Sequence, residues 1–284
     1  MRKSIICGIL LCAVMLPCFA QDRNIFAYNV GDIEVWTLVE NRREGGVPTN
    51  LIGADQAALT RYFPDGKSQS QTNTFLIRSG GRFILVDTGF GTTLFDNLKE
   101  LGISPNLIFA VLITHSHGDH ISGLQRDNRA LFPNARVYVA QQELDFAART
   151  MKQEDINALA VAYSGRVEIF EPYDPYVYVG EGILGITPIA AYGHTPGHTG
   201  YLVESKGQSL AIVGDLFHVE KIQFPRPDIA ISYDTNPAIA ANIREQGLEY
   251  AAQTNIPIAG MHLLYPSIGR VSRDGSGYKF TPER

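Results

Sequence analysis

Residues 114–120 of the chain, THSHGDH, carry three imidazoles and one carboxylate, all of them side chains that bind metal ions. They directly follow the apolar residues 110–113, AVLI, which are typical of a buried strand, so the stretch lies where that strand opens into a loop. In an extended segment His115 and His117 point to the same side, and the ligands after the glycine can point to a neighbouring spot. Buried without partners such side chains would be costly, whereas a metal ion would satisfy them. The stretch therefore has donors for two metal ions.

Further ligand-type side chains follow at the ends of other predicted strands. Residues 193–200, GHTPGHTG, lie between two strand-like segments and contain His194 and His198. Asp215 follows a predicted strand and a glycine, and His262 directly follows a short strand. A single histidine is more often a packed or surface residue than a ligand, and an aspartate after glycine is more often a turn residue. The series as a whole nevertheless favours a metal site.

The pattern of residues 115–120 resembles the HxHxDH signature of the metallo-beta-lactamase-fold hydrolases, which include lactonases, glyoxalase II-type thioesterases, phosphotriesterases and beta-lactamases. Residues 193–198 resemble the GHTxGH element of that superfamily. The resemblance implies that the second histidine of this element, His198, is a ligand and that His194 braces the loop. It also implies that Asp87, in an Asp-Thr-Gly turn, orients the metal loop, although a plain turn role for Asp87 stays open. The implied ligands are His115, His117 and His198 for one metal, Asp119, His120 and His262 for the other, and Asp215 as the bridge.

The donor set favours two zinc ions, although Mn, Fe or Co suit the same imidazole and carboxylate ligands. Two cations that share a water lower its pKa from 15.7 to roughly 7, which supplies a hydroxide at neutral pH. The catalytic residues implied by the resemblance are Asp215, which holds both metals, and Asp119, which could carry a proton to the leaving group. The expected reaction is hydrolysis of an ester-like bond.

The methyl parathion hydrolase-like branch of the superfamily is the most similar. Beta-lactamases with this loop use a Cys ligand or lack the bridging Asp, whereas all three cysteines of this chain lie in residues 1–20. Glyoxalase II-type thioesterases share the ligands but carry a helical C-terminal domain. The resemblance to the favoured branch implies a lactone, an aryl ester or a phosphotriester as the small-molecule substrate. It extends through residues 73–76, 132–135, 214–219, 223–224 and 262–263 and Gly269.

Five residues next to the motifs are candidates for the substrate pocket, although packing roles are equally open for each of them. An apolar, aromatic pocket would favour acyl-lactones or aryl esters over charged substrates. The candidates are Phe90, Phe217, His218, Leu264 and Tyr265.

A non-catalytic metal-binding protein that retains the fold is the alternative from another class. The absence of one of the superfamily's metal ligands would favour this alternative, and all of the implied ligands are present in the sequence. A di-iron redox protein would need a fused flavin domain, for which the chain has no length.

The composition indicates one globular domain. The chain has 284 residues, 45% of them hydrophobic, and a formal charge of −5 without a basic run, which gives no nucleic-acid footprint. Residues 1–20 resemble a secretory leader, so residues 21–284 are expected to be exported to the periplasm or secreted, with no membrane segment after leader removal. A lipoprotein anchored at Cys18 is the less favoured reading. A homodimer is compatible with the sequence.

Strands and helices are intermixed in both halves, which predicts a four-layer αββα sandwich in the α/β class. Helices are predicted at residues 92–101, 142–151, 154–163 and 237–253. Residues 40–72, rich in Asn, Arg, Gly, Pro and Gln, are predicted to be a long connection with a short helix near 54–62. The aromatic residues 172–178 predict an edge hairpin.

Overall fold

Two β-sheets share one apolar core in the protein, whose computed structural model describes residues 24–171 and 184–284. In spatial order, the first sheet contains β1 (Ile25–Val30), β2 (Ile33–Gly46), β4 (Lys67–Ser79), β5 (Arg82–Val86), β6 (Ile108–Leu112), β9 (Arg136–Ala140) and β10 (Val167–Phe170). The second sheet contains, again in spatial order, β11 (Ile186–Ala190), β12 (Thr199–Ser205), β13 (Gln208–Ile212), β15 (Ile258–Ala259), β16 (Ile268–Asp274) and β17 (Gly277–Pro282). Two short pairs join β3 (Leu51–Ile52) to β14 (Ala230–Ile231) and β7 (Gln125–Arg126) to β8 (Arg129–Ala130).

The four long stretches predicted to be helical are helices in the structure, and so is the short stretch near residue 58. The helices are α1 (Gln56–Tyr62), α2 (Leu94–Glu100), α3 (Gly118–Ile121), α4 (Gln141–Thr150), α5 (Gln153–Ala162), α6 (Glu220–Gln223) and α7 (Pro237–Thr254), with 3-10 turns at Pro105–Leu107 and Ser122–Leu124. Asn236 caps α7, because its side chain accepts a hydrogen bond from the Ile239 N–H.

Strand alternation produces the layers. On β4, Phe75 and Ile77 belong to the core between the sheets, whereas Leu76 between them faces the core that contains α2 and α5. On the far side of the second sheet, Leu248 of α7 packs with Ile258. Each sheet therefore has one face on the other sheet and one face under helices, which confirms the predicted αββα sandwich.

Parallel strand pairs bring the motif residues to one edge of the sandwich. Strands β5 and β6 are parallel neighbours, so Asp87 lies beside residues 114–120 at their carboxyl ends. Strands β13 and β15 are also parallel, which puts Asp215 beside His262. Strand β12 is antiparallel to β13 and begins at this same edge, where residues 193–198 enter it. The topology thus collects ligands that are up to 147 residues apart in sequence, from 115 to 262.

The prediction that residues 40–72 form a connection is wrong for both ends of that stretch. Strands β2 and β4 continue beyond the sheet as a two-stranded ribbon, paired up to Gly46 and Lys67. The side chains of its outer part are exposed and polar, and they pair across the strands, as Glu44 does with Lys67. Because neither face of the outer ribbon is buried in a core, the sequence shows no apolar alternation there.

The predicted leader and the predicted hairpin at residues 172–178 lie outside the described residues. Within the described ranges, no helix has both the length and the apolar character needed to cross a membrane.

Candidate metal centre

All seven histidines of the chain converge at the edge where the parallel strands end. Six of them contribute ring nitrogens to four overlapping groups of potential metal donors, in each of which the donor atoms lie within 4.8 Å of one another. The groups also contain two carboxylates, Asp119 and Asp215. The exception is His198, which belongs to none of them.

The first set of donors is formed by three imidazoles. The His117 Nδ1 atom lies 3.0 Å from the His115 Nε2 atom and 3.0 Å from the His194 Nε2 atom. Burial, and next the proximity of His194, lower the pKa of His117 to about 4. Burial and His120 also lower the pKa of His115. The rings of His115 and His117 are therefore neutral at pH 7, as metal ligands must be.

The second set combines a carboxylate with two imidazoles. The Asp119 Oδ2 atom is 3.4 Å from His262 Nε2, and the Asp119 Oδ1 atom is 3.7 Å from His120 Nε2. Helix α3 carries Asp119 and His120 in its single turn, which directs both into the centre. Burial alone would raise the pKa of Asp119, but His262 and His120 hold it at about 2.

Asp215 lies between the two sets. Its Oδ2 atom is 3.4 Å from His194 Nε2 and 3.2 Å from His262 Nε2, while its Oδ1 atom is 3.3 Å from His120 Nε2. It is also 3.6 Å from His115 Nε2. The Asp215 side chain therefore reaches nitrogens of both sets, as a bridging carboxylate must.

The donor set fits two divalent metal ions. The Oδ1 atom of Asp215 and the Nε2 atom of His120 are buried and have no hydrogen-bond partner among the described residues. Unpartnered buried polar atoms are rare and call for an explanation. Zinc bonds of 2.0–2.1 Å in a tetrahedron separate neighbouring donors by about 3.3 Å, and the donors of this centre are 3.0–3.7 Å apart. Ions between the two sets would satisfy both orphaned atoms.

The outward nitrogens of three histidines are anchored by acceptors. His120 Nδ1 lies 2.7 Å from an Asp87 carboxylate oxygen, and His262 Nδ1 lies 2.8 Å from the Gln71 carbonyl. His194 Nδ1 lies 2.8 Å from Asp234 Oδ1. Each ring is thus anchored through Nδ1, which leaves Nε2 directed inward as the atom that would bind a metal ion.

Asp87 lies where the sequence analysis expected an orienting carboxylate, and it also accepts hydrogen bonds from the backbone and side chain of Thr114. Its backbone has a φ of 59°, a left-handed conformation that is uncommon outside glycine. The turn therefore holds this carboxylate under the metal loop.

Sequence reasoning missed Asp234. It follows strand β14 in a loop ahead of α7 and belongs to no recognisable motif, so no local signal could have found it. Behind it stands Arg244 of α7, fully buried, with its Nη2 atom 3.8 Å from Asp234 Oδ2. Arg244 also donates to the carbonyl of Leu216, the residue after Asp215. One buried guanidinium thus touches the supports of two candidate ligands, His194 and Asp215.

Glu143 is a second support that the sequence did not reveal. This buried carboxylate of α4 accepts hydrogen bonds from the backbone and side chain of Ser116, at 2.7 and 2.5 Å, and from the Thr195 hydroxyl, at 2.5 Å. Ser116 separates His115 from His117, and Thr195 adjoins His194. Glu143 therefore ties together the two loops that supply the first set of donors.

The roles predicted for His194 and His198 are reversed by the geometry. His198 donates through Nδ1 to the Ala191 carbonyl at 2.7 Å and accepts through Nε2 from the Asp215 N–H at 3.0 Å. Both ring nitrogens are thus used by the backbone, so His198 braces the Asp215 turn, whereas His194 points into the donor group.

A cavity of about 620 Å³ opens in front of the centre and exposes donors of both sets. Of the five predicted pocket residues, Phe90 and His218 line it. His218 also lies 3.1 Å from Asp215 through Nε2. The lining is mixed: Phe90, Tyr233, Val219 and Ile231 contribute apolar groups beside amide, hydroxyl and charged side chains.

The other three pocket predictions do not match the lining of that cavity. Phe217 is buried and stacks on Phe224 with ring centroids 4.5 Å apart. Tyr265 packs edge-on against Phe26, and its hydroxyl donates to the Ile25 carbonyl. The backbone N–H of Leu264 donates to Glu220, and Leu264 is not among the cavity residues.

The fold and this site define a metal-dependent hydrolase. A family model of the metallo-beta-lactamase superfamily matches residues 68–266, and the chain belongs to this superfamily.

Several known proteins are similar to the chain. A ribonuclease of Thermus thermophilus is 28% identical over 178 residues, 60% of this chain and 41% of the relative. A hydroxyacylglutathione hydrolase of Francisella tularensis is 33% identical over 132 residues, 44% of this chain and 42% of the relative. The chain thus spans less than half the length of these two curated relatives.

Solved structures match over nearly the full chain. The hydrolase AbOPH of the beta-lactamase superfamily has a TM-score of 0.81 and 28% identity, and the match covers 93% of this chain and 99% of that one. The dizinc quorum-quenching lactonase AidC, solved with the product N-hexanoyl-L-homoserine, has a TM-score of 0.79 and 24% identity, with 92% and 98% covered. At 24% identity, the likeness to AidC concerns the fold alone.

We expect His194→Ala to bind one metal equivalent fewer than the wild type, and His198→Ala to retain both at saturating zinc. His198→Ala should instead lower the free energy of unfolding by about 1–3 kcal/mol, because two backbone groups lose their partner. Elemental analysis of dialysed protein and chemical denaturation measure the two effects. Loss of metal in the His198 variant alone would contradict the reversed roles.

We expect Asp234→Asn to weaken the zinc site that contains His194 by about 10- to 100-fold, as removal of an orienting carboxylate does elsewhere. Asp87→Asn is the matched variant, and it should weaken the site that contains His120 instead. Competition with a chelating dye resolves the two affinities. If one of these variants binds zinc at both sites as tightly as the wild type, the carboxylate removed in that variant does not orient a ligand.

Zinc binding to the metal-free protein should release about two protons at pH 7, one each from His120 and His262. Burial would lower the pKa of His262, but Asp215 and Asp119 raise it to about 10, and Asp215 and Asp87 likewise raise that of His120 against burial. Since protons compete with zinc, affinity should fall as the pH falls. Calorimetry in two buffers of different ionisation enthalpy counts the protons; a count near zero would contradict the charge assignment.

Proposed function

We propose that the protein is a dinuclear zinc hydrolase that cleaves an ester-like bond of a small molecule, such as a lactone, an aryl ester or a phosphotriester. The observation that supports this most is the position of Asp215, whose two oxygens face imidazoles of both donor sets. Imidazole and carboxylate donors suit zinc best, and Mn, Fe or Co would suit the same set. Export through the predicted leader is part of the proposal.

Two divalent ions bound in the centre would lower the pKa of a water from 15.7 to about 7 and stabilise negative charge that develops on the substrate oxygen. The residues of the chain place and support that chemistry. His120, His194 and His262 are held as Nε2 donors by their outward hydrogen bonds. Such fixed donors need no rearrangement when the reaction occurs.

Asp119 is the residue to which we assign proton transfer to the leaving group. Its side chain is 25% exposed and lines the cavity, whereas that of Asp215 is 3% exposed and is enclosed by imidazoles. A group that passes a proton to the substrate has to be reachable from the cavity. The low pKa of Asp119 keeps it a carboxylate that can accept a proton before passing it on.

A thioesterase of the glyoxalase II type is the second candidate. The hydroxyacylglutathione hydrolase is 33% identical, which favours it, although the match covers 42% of that relative. A thioester and an oxygen ester present the same carbonyl to the centre, so the leaving group decides between the two candidates.

Hydrolysis rates on a substrate panel test the proposal. Zinc-loaded protein would be assayed with an N-acyl-homoserine lactone, an aryl phosphotriester, an aryl ester, a thioester and a cephalosporin, compared by kcat/KM. We expect an oxygen ester, lactone or phosphotriester to be preferred. A preference for the thioester would support the second candidate, and no turnover of any substrate with two metals bound would overturn the assignment as an enzyme.

We expect Asp215→Ala to lose one metal equivalent and to lower kcat/KM by more than about 100-fold, the upper range for residues that merely orient ligands. Asp32→Ala removes an exposed carboxylate paired with Lys206 and serves as the control. Metal analysis and steady-state kinetics on the best panel substrate measure both effects. Retained turnover in the Asp215 variant would refute the bridging role.

A further inference from the structure

One wall of the cavity is the polar ribbon of strands β2 and β4. Asn41 and Arg43 alternate along β2, and they lie opposite Thr72 and Ser70 on β4. All four line the cavity together with the metal donors. Because alternate residues of a strand share a face, this face of the ribbon looks toward the centre.

Arg43 is the single Lys or Arg among the described residues that line this cavity. Its neighbours on the ribbon are engaged: Arg42 donates to Gln71, and Glu44 pairs with Lys67. The Arg43 side chain is exposed and forms no ion pair or hydrogen bond with the described part of the chain. Its guanidinium therefore has five donors available to a molecule in the cavity.

Two exposed aromatic side chains line the same cavity. Phe90 is 40% exposed and Tyr233 is 59% exposed. Exposed aromatic side chains offer apolar contact area at low entropic cost. The cavity therefore combines a cation, an apolar contact surface and the candidate metal donors.

We propose that Arg43 binds a carboxylate on the part of the substrate remote from the scissile bond, so that the preferred substrates are esters or lactones with an apolar body and a free acid. This inference rests on the proposed function. A guanidinium matches the two oxygens of a carboxylate in a fork geometry. A phosphate monoester carries almost two negative charges. Because Arg43 is the single Lys or Arg in the described lining, a singly charged carboxylate matches it better.

The charge of the cavity agrees with this choice. Two divalent ions would outweigh the carboxylates of Asp119 and Asp215, so an anionic substrate would meet a positive field from the centre as well as from Arg43. Because Arg43 is exposed, water screens its contact, and we expect that contact to change KM by about two- to fivefold. Reversal of its charge should change KM by more than removal does, since repulsion replaces attraction.

Two 4-nitrophenyl esters with the same scissile bond test the proposal. The monoester of glutaric acid carries a free carboxylate, and the ester of butyric acid is neutral. We expect Arg43→Gln to raise KM for the glutarate ester about two- to fivefold, with kcat unchanged and the butyrate ester unaffected. Arg43→Glu should raise that KM further, Arg43→Lys should restore part of it, and added salt should reduce the difference. Lys67→Gln, which removes a ribbon cation outside the cavity, should change neither substrate.

Binding to the metal-free protein gives a readout independent of turnover. We expect 3-phenylpropionate to bind more tightly than 3-phenylpropionamide, as followed by NMR titration, and Arg43→Gln to weaken the carboxylate about two- to fivefold. Equal binding of 3-phenylpropionate by both proteins would overturn the proposal, as would an unchanged ratio of the two ester KM values. Failure of the wild type to cleave either ester would count against the proposed function alone, and the binding titration would then decide the role of Arg43.

Discussion

The structure depends on the burial of one carboxylate among imidazoles. Asp215 is 2% exposed, and five histidines place a ring nitrogen within 3.6 Å of its oxygens. An uncompensated charge in such a place would be very unfavourable. Burial would raise the pKa of Asp215, but His120 and His262 hold it well below its usual range. The centre must therefore contain cations, either as protons on these rings or as metal ions that replace them.

The fold meets this demand by bringing strand ends together. Strands β5 and β6 end beside each other, as do β13 and β15, so the loops that follow them meet between the two sheets. Hydrogen bonds then fix the loops: Glu143 joins two of them, and Asp87 and Asp234 orient the imidazoles. The ligand geometry is therefore set by residues that are themselves buried and fully engaged.

Much of this could be predicted from the sequence, because the donors of residues 115–120 are adjacent and because the continuous apolar run of residues 110–113 indicates the buried strand before them. The choice between His194 and His198 could not. Both lie in one loop four residues apart, and only the hydrogen bonds of His198 to Ala191 and Asp215 decide between them. The role of Asp234 could not be predicted either, because its contact with His194 arises only from tertiary packing.

The cavity was predicted least well, since adjacency to a motif says little about which way a side chain points. Phe217 follows Asp215 closely but turns into the core, while Arg43 is distant in sequence and faces the cavity.

Anomalous scattering from crystals of the zinc-loaded protein, recorded on both sides of the zinc edge, tests the central claim most directly. The account predicts two peaks, one on each side of the Asp215 carboxylate, with His194 Nε2 bonded to one of them. A single peak, or a peak bonded to His198, would contradict it.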